Sequence, residues 1–255
     1  MMIELLPDTP VNAASEHCAL FLDLDGTLLE IAERPESVDV DEGIKALIAR
    51  LLAAHGGAVA LITGRSIAGV DMLLSPLRLP VAGQHGLERR DSRGRVHEHR
   101  ASLHLLDEAR TDIASWAALR PGVHVEDKGL SIAVHYRQAL SRGDEVEAFL
   151  RGWIAAHGIG LQLQAGKKVI ELKPSGRDKG LAIGDFLQEA PFKDRYPIFV
   201  GDDLTDEYGF AFVNEHSGMS VKVGPGTTVA RYRLADVTAV RRWLEQLAAS
   251  GKERR

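Results

Sequence analysis

The chain has 255 residues, which suits one large or two modest domains and excludes a miniature disulfide scaffold. Hydrophobic residues make up 45% and charged residues 26%, so a real core can form and a disordered chain is excluded. The net charge of −5 and pI of 6.1 argue against a nucleic-acid partner but leave an anionic small molecule open.

Ala19 to Leu22 reads as a buried strand ending at Asp23. Asp41 to His55 places Ile44, Leu47, Ile48, Leu51 and Leu52 at helical spacing, and Gly56-Gly57 stops that helix. Ala58 to Ile62 is a second buried strand, and Ser66 caps a helix through Leu74. Val81-Ala82 is a short strand before a glycine-flanked turn at His85. Later the grammar repeats: helix Asp178–Leu187, strand Pro197–Val200, helix Thr205–Val213, strand Ser220–Val223, helix Asp236–Ala249. Buried strands alternating with amphipathic helices predict a parallel α/β sheet.

The middle differs. A helix at Leu103–Leu119, strands at Val123–Glu126 and Leu130–His135, a helix at Glu145–Ala156, and strands at Leu161–Gln164 and Val169–Leu172 predict two hairpins alternating with helices. Hairpins mean antiparallel pairing, so a separate α+β layer is inserted at 91–174 between core segments 1–90 and 175–255. The charged stretch Arg89 to Arg100 is expected to be a crossing linker. No leader or membrane-spanning segment is expected, and the single cysteine, Cys18, fits a reducing cytoplasm.

The chemistry starts at Asp23-Leu24-Asp25-Gly26-Thr27-Leu28, directly after a strand, where open α/β sheets bind ligands. An ionised Asp23 can attack phosphorus to form an aspartyl phosphate. Asp25 can protonate the leaving oxygen and then take a proton from water. Carboxylate and phosphate repel, so this chemistry demands a divalent cation, a lysine and neutral donors. Thr27 and Thr63 offer hydroxyls, and Lys179 stands in a first helical turn, where a cation opposes the dipole unless an anion faces it. Asp202, Asp203 and Asp206 crowd Gly201-Asp202-Asp203-Leu204-Thr205-Asp206, and such hard oxygen donors suit Mg²⁺. Asp202 is the expected ligand. Asp203 either holds the surrounding shell or positions Lys179, and Asp206 is open between a site role and an ordinary first-turn acid.

These four stretches, in this order, resemble the haloacid dehalogenase-like hydrolase superfamily. The resemblance implies a Rossmann-like core, an Asp23 nucleophile, an Asp25 acid/base, Mg²⁺ held by Asp23, the Asp25 backbone carbonyl and Asp202, and an α/β cap that closes over the site. More narrowly, Phe21 to Leu28, Ile62-Thr63-Gly64-Arg65, Gly83 to Glu88, Val125-Glu126-Asp127-Lys128, Glu171-Leu172-Lys173-Pro174 with Gly176 and Lys179-Gly180, and Gly201 to Glu207 are similar to the trehalose-6-phosphate phosphatase family. Many members carry a small residue where this chain has Gln84. The match implies sugar contacts at Glu126, Lys128 and Glu171, which suit a disaccharide rich in hydroxyls. Arg65 is open between a phosphate contact and a bridge from core to cap, and His85 between substrate contact and turn structure.

The expected activity is therefore Mg²⁺-dependent hydrolysis of a sugar phosphate, foremost trehalose 6-phosphate. The alternatives are phosphatases for sucrose phosphate, mannosylglycerate phosphate or hexose phosphates, a phosphomutase, or a non-catalytic sensor. The expected partner is a small-molecule sugar phosphate, with neither nucleic acid nor membrane. The sequence leaves the oligomeric state open.

Overall fold

The computed structural model describes residues 4–5, 17–31, 40–100, 103–157, 160–166 and 168–250. Most of the first twenty residues, on which the expectation of no leader rests, lie outside them. The described residues divide into two compact units, Met1–His97 with Asp178–Arg255, and Glu98–Arg177.

In chain order the elements are β1 (Glu4–Leu5), β2 (Cys18–Leu22), α1 (Glu42–Ala54), β3 (Val59–Ile62), α2 (Ile67–Leu74), β4 (Val81–Gly83), β5 (Glu88–Arg90), β6 (Val96–Glu98), α3 (Leu103–Ala118), β7 (His124–Asp127), β8 (Ile132–His135), α4 (Gly143–His157), β9 (Leu161–Gly166), β10 (Val169–Pro174), α5 (Lys179–Leu187), β11 (Tyr196–Gly201), α6 (Asp206–Glu215), β12 (Met219–Val223), β13 (Tyr232–Leu234) and α7 (Val237–Ser250).

The first unit is built on a sheet ordered β1-β13-β12-β11-β2-β3-β4-β5-β6. From β1 to β4 the pairing is parallel, and β5 runs antiparallel to β4. Central strands β2, β3 and β11 are apolar runs and, with β12, are buried on both faces, as parallel strands covered by helices must be. Strand alternation sorts the side chains. Leu20, Leu22, Val59, Leu61, Ile198 and Val200 join Ile44, Ile48, Leu51, Val70 and Leu244 of α1, α2 and α7. Phe21, Ala60, Ile62 and Phe199 join Ile183, Phe186, Phe210 and Val213 of α5 and α6. Each fully buried phenylalanine contributes about 1.5–3 kcal/mol. Asp41, Ser66 and Asp178 cap α1, α2 and α5 by accepting from Ile44, Gly69 and Leu181 N–H groups.

The second unit is a sheet ordered β7-β8-β10-β9, antiparallel throughout. Ile132, Val134, Ile170 and Leu172 pack with Leu106 and Ile113 of α3 and Val146, Leu150 and Trp153 of α4. Helix–hairpin–helix–hairpin is therefore the observed order.

The second unit begins at Glu98 and ends at Arg177, so the chain crosses between units inside the charged stretch Arg89–Arg100. The first part of that stretch is paired within the first unit. The buried Arg90 guanidinium forks onto Asp71 at 2.7 Å twice and also donates to the Leu79 carbonyl. Arg89 bonds Glu189 at 2.5 Å and lies over the Phe186 ring. A polar sequence satisfied in this way can extend a sheet.

Candidate active site

Four neighbouring parallel strands, ordered β11-β2-β3-β4, deliver the candidate residues to one carboxyl edge. Asp23 follows β2, Thr63 follows β3, Gln84-His85 follows β4, and Asp202 follows β11. The registers fix this alignment: Val200 pairs with Leu22, Leu22 with Leu61, and Ile62 with Ala82. The Asp23 N–H donates to the Val200 carbonyl at 2.9 Å.

At the centre, the buried Lys179 ammonium donates to Asp23 Oδ1 at 2.7 Å and to Asp206 Oδ1 at 2.6 Å. These carboxylates are the anions that its first-turn placement called for. The Thr27 hydroxyl lies 3.4 Å from Asp23 Oδ2. The other Asp206 oxygen accepts the backbone N–H groups of Asp202 and Asp203 at 2.9 and 2.8 Å, and so shapes the loop. Of the two roles open for Asp203, positioning Lys179 falls to Asp206 instead. Asp203 Oδ1 accepts from the Leu204 N–H. Buried Lys222, on β12, donates to the backbone carbonyls of Asp202 and Val223.

Burial pushes the Asp23 carboxyl well above the ordinary carboxylate range; Lys179 pulls it down, while Asp206 and Asp202 add to the rise. Burial lowers the Lys179 ammonium, but Asp206 and Asp23 outweigh it and hold it above its usual value. Among the described residues, Asp23, Asp202 and Asp206 offer carboxylate oxygens that all lie within 4.8 Å of one another. One ammonium, that of Lys179, is shared by two of these three buried carboxylates, Asp23 and Asp206. The donor set fits a hard divalent cation. The Asp25 side chain is not in that cluster.

Gly26 is required by this packing. Its φ is +88°, and a Cβ there would lie 2.3 Å from Asp202 Oδ2. Gly26→Ala should displace the Asp202 carboxylate and lower kcat about 10²-fold, as misplacement by roughly 1 Å does. Steady-state phosphate release checks this; an unchanged kcat would mean that the turn has slack.

Both Asp25 carboxylate oxygens are held by one guanidinium: Arg65 Nε donates to Oδ2 and Nη2 to Oδ1, each at 2.7 Å. Thr63 is buried, and its hydroxyl accepts the Arg65 N–H at 3.2 Å. The His85 ring lies against Gly64, where a Cβ would sit 2.8 Å from the imidazole.

Glu126, Lys128 and Glu171 belong to the second unit. Glu126 and Glu171 both pair across to Ala133, so they share one face of the sheet, opposite Ile132, Val134, Ile170 and Leu172. Lys128 Nζ lies 3.6 Å from Glu171 Oε2, and Ser131 Oγ donates to Glu171 Oε1 at 2.5 Å. His135 Nε2 lies 2.9 Å from Glu126 Oε2, and this bond holds the Glu126 carboxyl below its ordinary range. Lys173 is fully buried and donates to Gln164 at 2.9 Å.

Sequence reading assigns no role to Lys222, carries Lys173 only within the Glu171-Leu172-Lys173-Pro174 stretch, and leaves His135 as a surface or core residue. Lys222 had a visible signal, a lysine inside the apolar run Met219–Val223. Lys173 had a similar one beside Leu172. His135 had none, because its partner is nine residues away across a hairpin.

The sequence profile described as Trehalose-phosphatase matches residues 21–238. A trehalose-6-phosphate phosphatase of Escherichia coli (strain K12) is 45% identical over 258 residues, covering 100% of this chain and 94% of that protein. A probable trehalose-phosphate phosphatase of Sinorhizobium fredii is 43% identical, covering 82% of this chain and 79% of its own. Among solved structures, a trehalose-6-phosphate phosphatase related protein superposes with a TM-score of 0.78 at 28% identity, covering 92% of this chain and 99% of that one.

Proposed function

This chain belongs to the trehalose-phosphatase family and is a phosphoric monoester hydrolase; from that premise we propose that it hydrolyses trehalose 6-phosphate to trehalose and phosphate through an aspartyl phosphate on Asp23. The observation that carries the reading is the buried Lys179 ammonium shared by Asp23 and Asp206 at a strand edge.

Asp23 attacks phosphorus in line; a bond forms between its carboxylate oxygen and phosphorus as the bond to the sugar oxygen breaks. Asp25 gives that oxygen its proton, so trehalose leaves neutral. Asp25 then takes a proton from water, the water oxygen bonds to phosphorus, and the acyl phosphate bond breaks to restore Asp23. Lys179, with a third N–H to offer, joins Thr27 and Thr63 in binding the transferring oxygens. Asp23, Asp202 and the Asp25 backbone carbonyl would hold Mg²⁺, which when bound supplies positive charge against the carboxylate–phosphate repulsion.

The polar sheet face carrying Glu126, Lys128, Glu171 and His135 supports recognition of sugar hydroxyls by the second unit. Charged groups left unpaired by a wrong sugar reject it strongly. The buried single cysteine supports a cytoplasmic location, and no helix among the described residues is long and apolar enough to cross a membrane.

Phosphate release from a panel of trehalose 6-phosphate, sucrose phosphate, mannosylglycerate phosphate and hexose phosphates tests the substrate. Trehalose 6-phosphate should show the highest kcat/KM, and a higher value for another member would reassign it. EDTA should abolish release and added Mg²⁺ restore it, whereas full activity in EDTA would contradict the role given to Asp202.

A further inference from the structure

We propose that Arg65 is the positioning residue of Asp25, a latch that parks the acid/base carboxylate. The inference rests on the phosphatase reading above and adds a device to it.

Proton transfer requires an Asp25 oxygen to face the leaving group or the water, within hydrogen-bond reach. In the structure both oxygens accept from Arg65 in parallel bonds of 2.7 Å, so the lone pairs that face the guanidinium are taken and a carboxyl proton cannot sit there. The guanidinium fork fixes the carboxylate in plane and in direction, which a point charge would not do. The Arg65 side chain is 15% exposed and that of Asp25 33% exposed. Solvent therefore reaches the pair on the Asp25 side, and the bidentate geometry gives orientation as well as attraction.

The latch stands on a fixed base. The Arg65 N–H donates to Thr63 Oγ1 at 3.2 Å, and its carbonyl accepts the Gln84 N–H at 2.9 Å. The His85 N–H donates to the Thr63 carbonyl at 2.9 Å. Gln84 and His85 both hold positive φ, 46° and 56°, a strained conformation for residues with side chains. Glu88 holds the Gln84 amide at 3.0 Å and the Ile67 N–H at 2.9 Å, tying the turn to the start of α2. Backbone strain is thus retained where it immobilises the Thr63-Gly64-Arg65 loop. That loop carries both Thr63, proposed above to bind the transferring oxygens, and Arg65, which holds the acid/base.

A double-mutant cycle on the Mg²⁺-loaded protein tests this with Arg65→Met, Asp25→Ala and the double variant, each assayed for phosphate release from trehalose 6-phosphate. Arg65→Met should lower kcat about 10²-fold, the cost of misplacing a reacting group. KM and inhibition by orthovanadate should stay as in the parent. In the Asp25→Ala background the same change should cost nothing more, because its effect passes through Asp25. Guanidinium ion should partly rescue Arg65→Ala. Should Arg65→Met fold poorly by thermal melting, Arg65→Lys takes its place; it keeps the charge without the fork and should lose kcat with KM unchanged. Additive losses, weakened vanadate inhibition, or an unaltered kcat in Arg65→Lys would each overturn the latch. An Asp25→Ala protein with full activity would instead remove the acid/base reading on which it rests.

Discussion

Asp23→Asn is expected to lose about 10⁴-fold or more in kcat, the scale seen when a nucleophile is removed, while the protein stays folded. The substitution keeps the shape of the side chain. Its amide oxygen can still accept from Lys179 where Oδ1 now does, at 2.7 Å, and its nitrogen falls beside the Thr27 hydroxyl. What disappears is the anionic oxygen that bonds to phosphorus, and an amide cannot replace it. Stability should not fall. Asp23 is a buried carboxylate crowded by Asp202 and Asp206, and burial already disfavours its charge. Phosphate release and a thermal melt on the same preparation check both halves. Turnover within tenfold of the parent would remove Asp23 from the reaction, and a collapsed melt would make it a structural residue.

Lys179→Met should damage both stability and rate. One buried ammonium holds two buried carboxylates, Asp23 and Asp206, at 2.7 and 2.6 Å. Taking one partner from a buried ion pair costs about 3–5 kcal/mol, because the charges left behind have no counter-ion. The loss should depend on pH in metal-free protein. Without Lys179 nothing opposes the burial that raises the Asp23 carboxyl. A carboxyl whose folded value lies above its unfolded one favours the fold when protonated and disfavours it as pH rises. The gap in Tm between Lys179→Met and the parent, measured in EDTA, should therefore be wider near about pH 8 than near about pH 5. A gap that narrows with rising pH would mean that Asp23 and Asp206 find other cations. On the kinetic side, loss of an oxyanion-type donor costs about 10²–10³ in kcat, and it should appear even in variant protein shown to be folded.

Much of this was legible in the amino-acid order. The apolar runs of β2, β3 and β11 are buried on both faces, so they carry few polar interruptions and end abruptly at Asp23, Thr63 and Asp202. The caps Asp41, Ser66 and Asp178 are local chemistry and fell where their side chains predict. What the sequence hid depends on partners far along the chain. Arg65 and Asp25 are 40 residues apart, and nothing in either segment shows that one guanidinium takes both carboxylate oxygens. Asp206 has the position of an ordinary first-turn acid, and only its complete burial against Lys179 and the Asp202 and Asp203 amides shows its site role. β5 was hidden because Glu88-Arg89-Arg90 is charged throughout, and its charges are satisfied by Ile67, Glu189 and Asp71 rather than by water.

The account turns on a covalent bond between Asp23 and phosphorus. Enzyme quenched in acid during turnover and reduced with borohydride should carry homoserine at position 23, because an acyl phosphate is reduced where a free carboxylate is not. Homoserine at another aspartate, or an unmodified peptide from enzyme that was turning over, would contradict it.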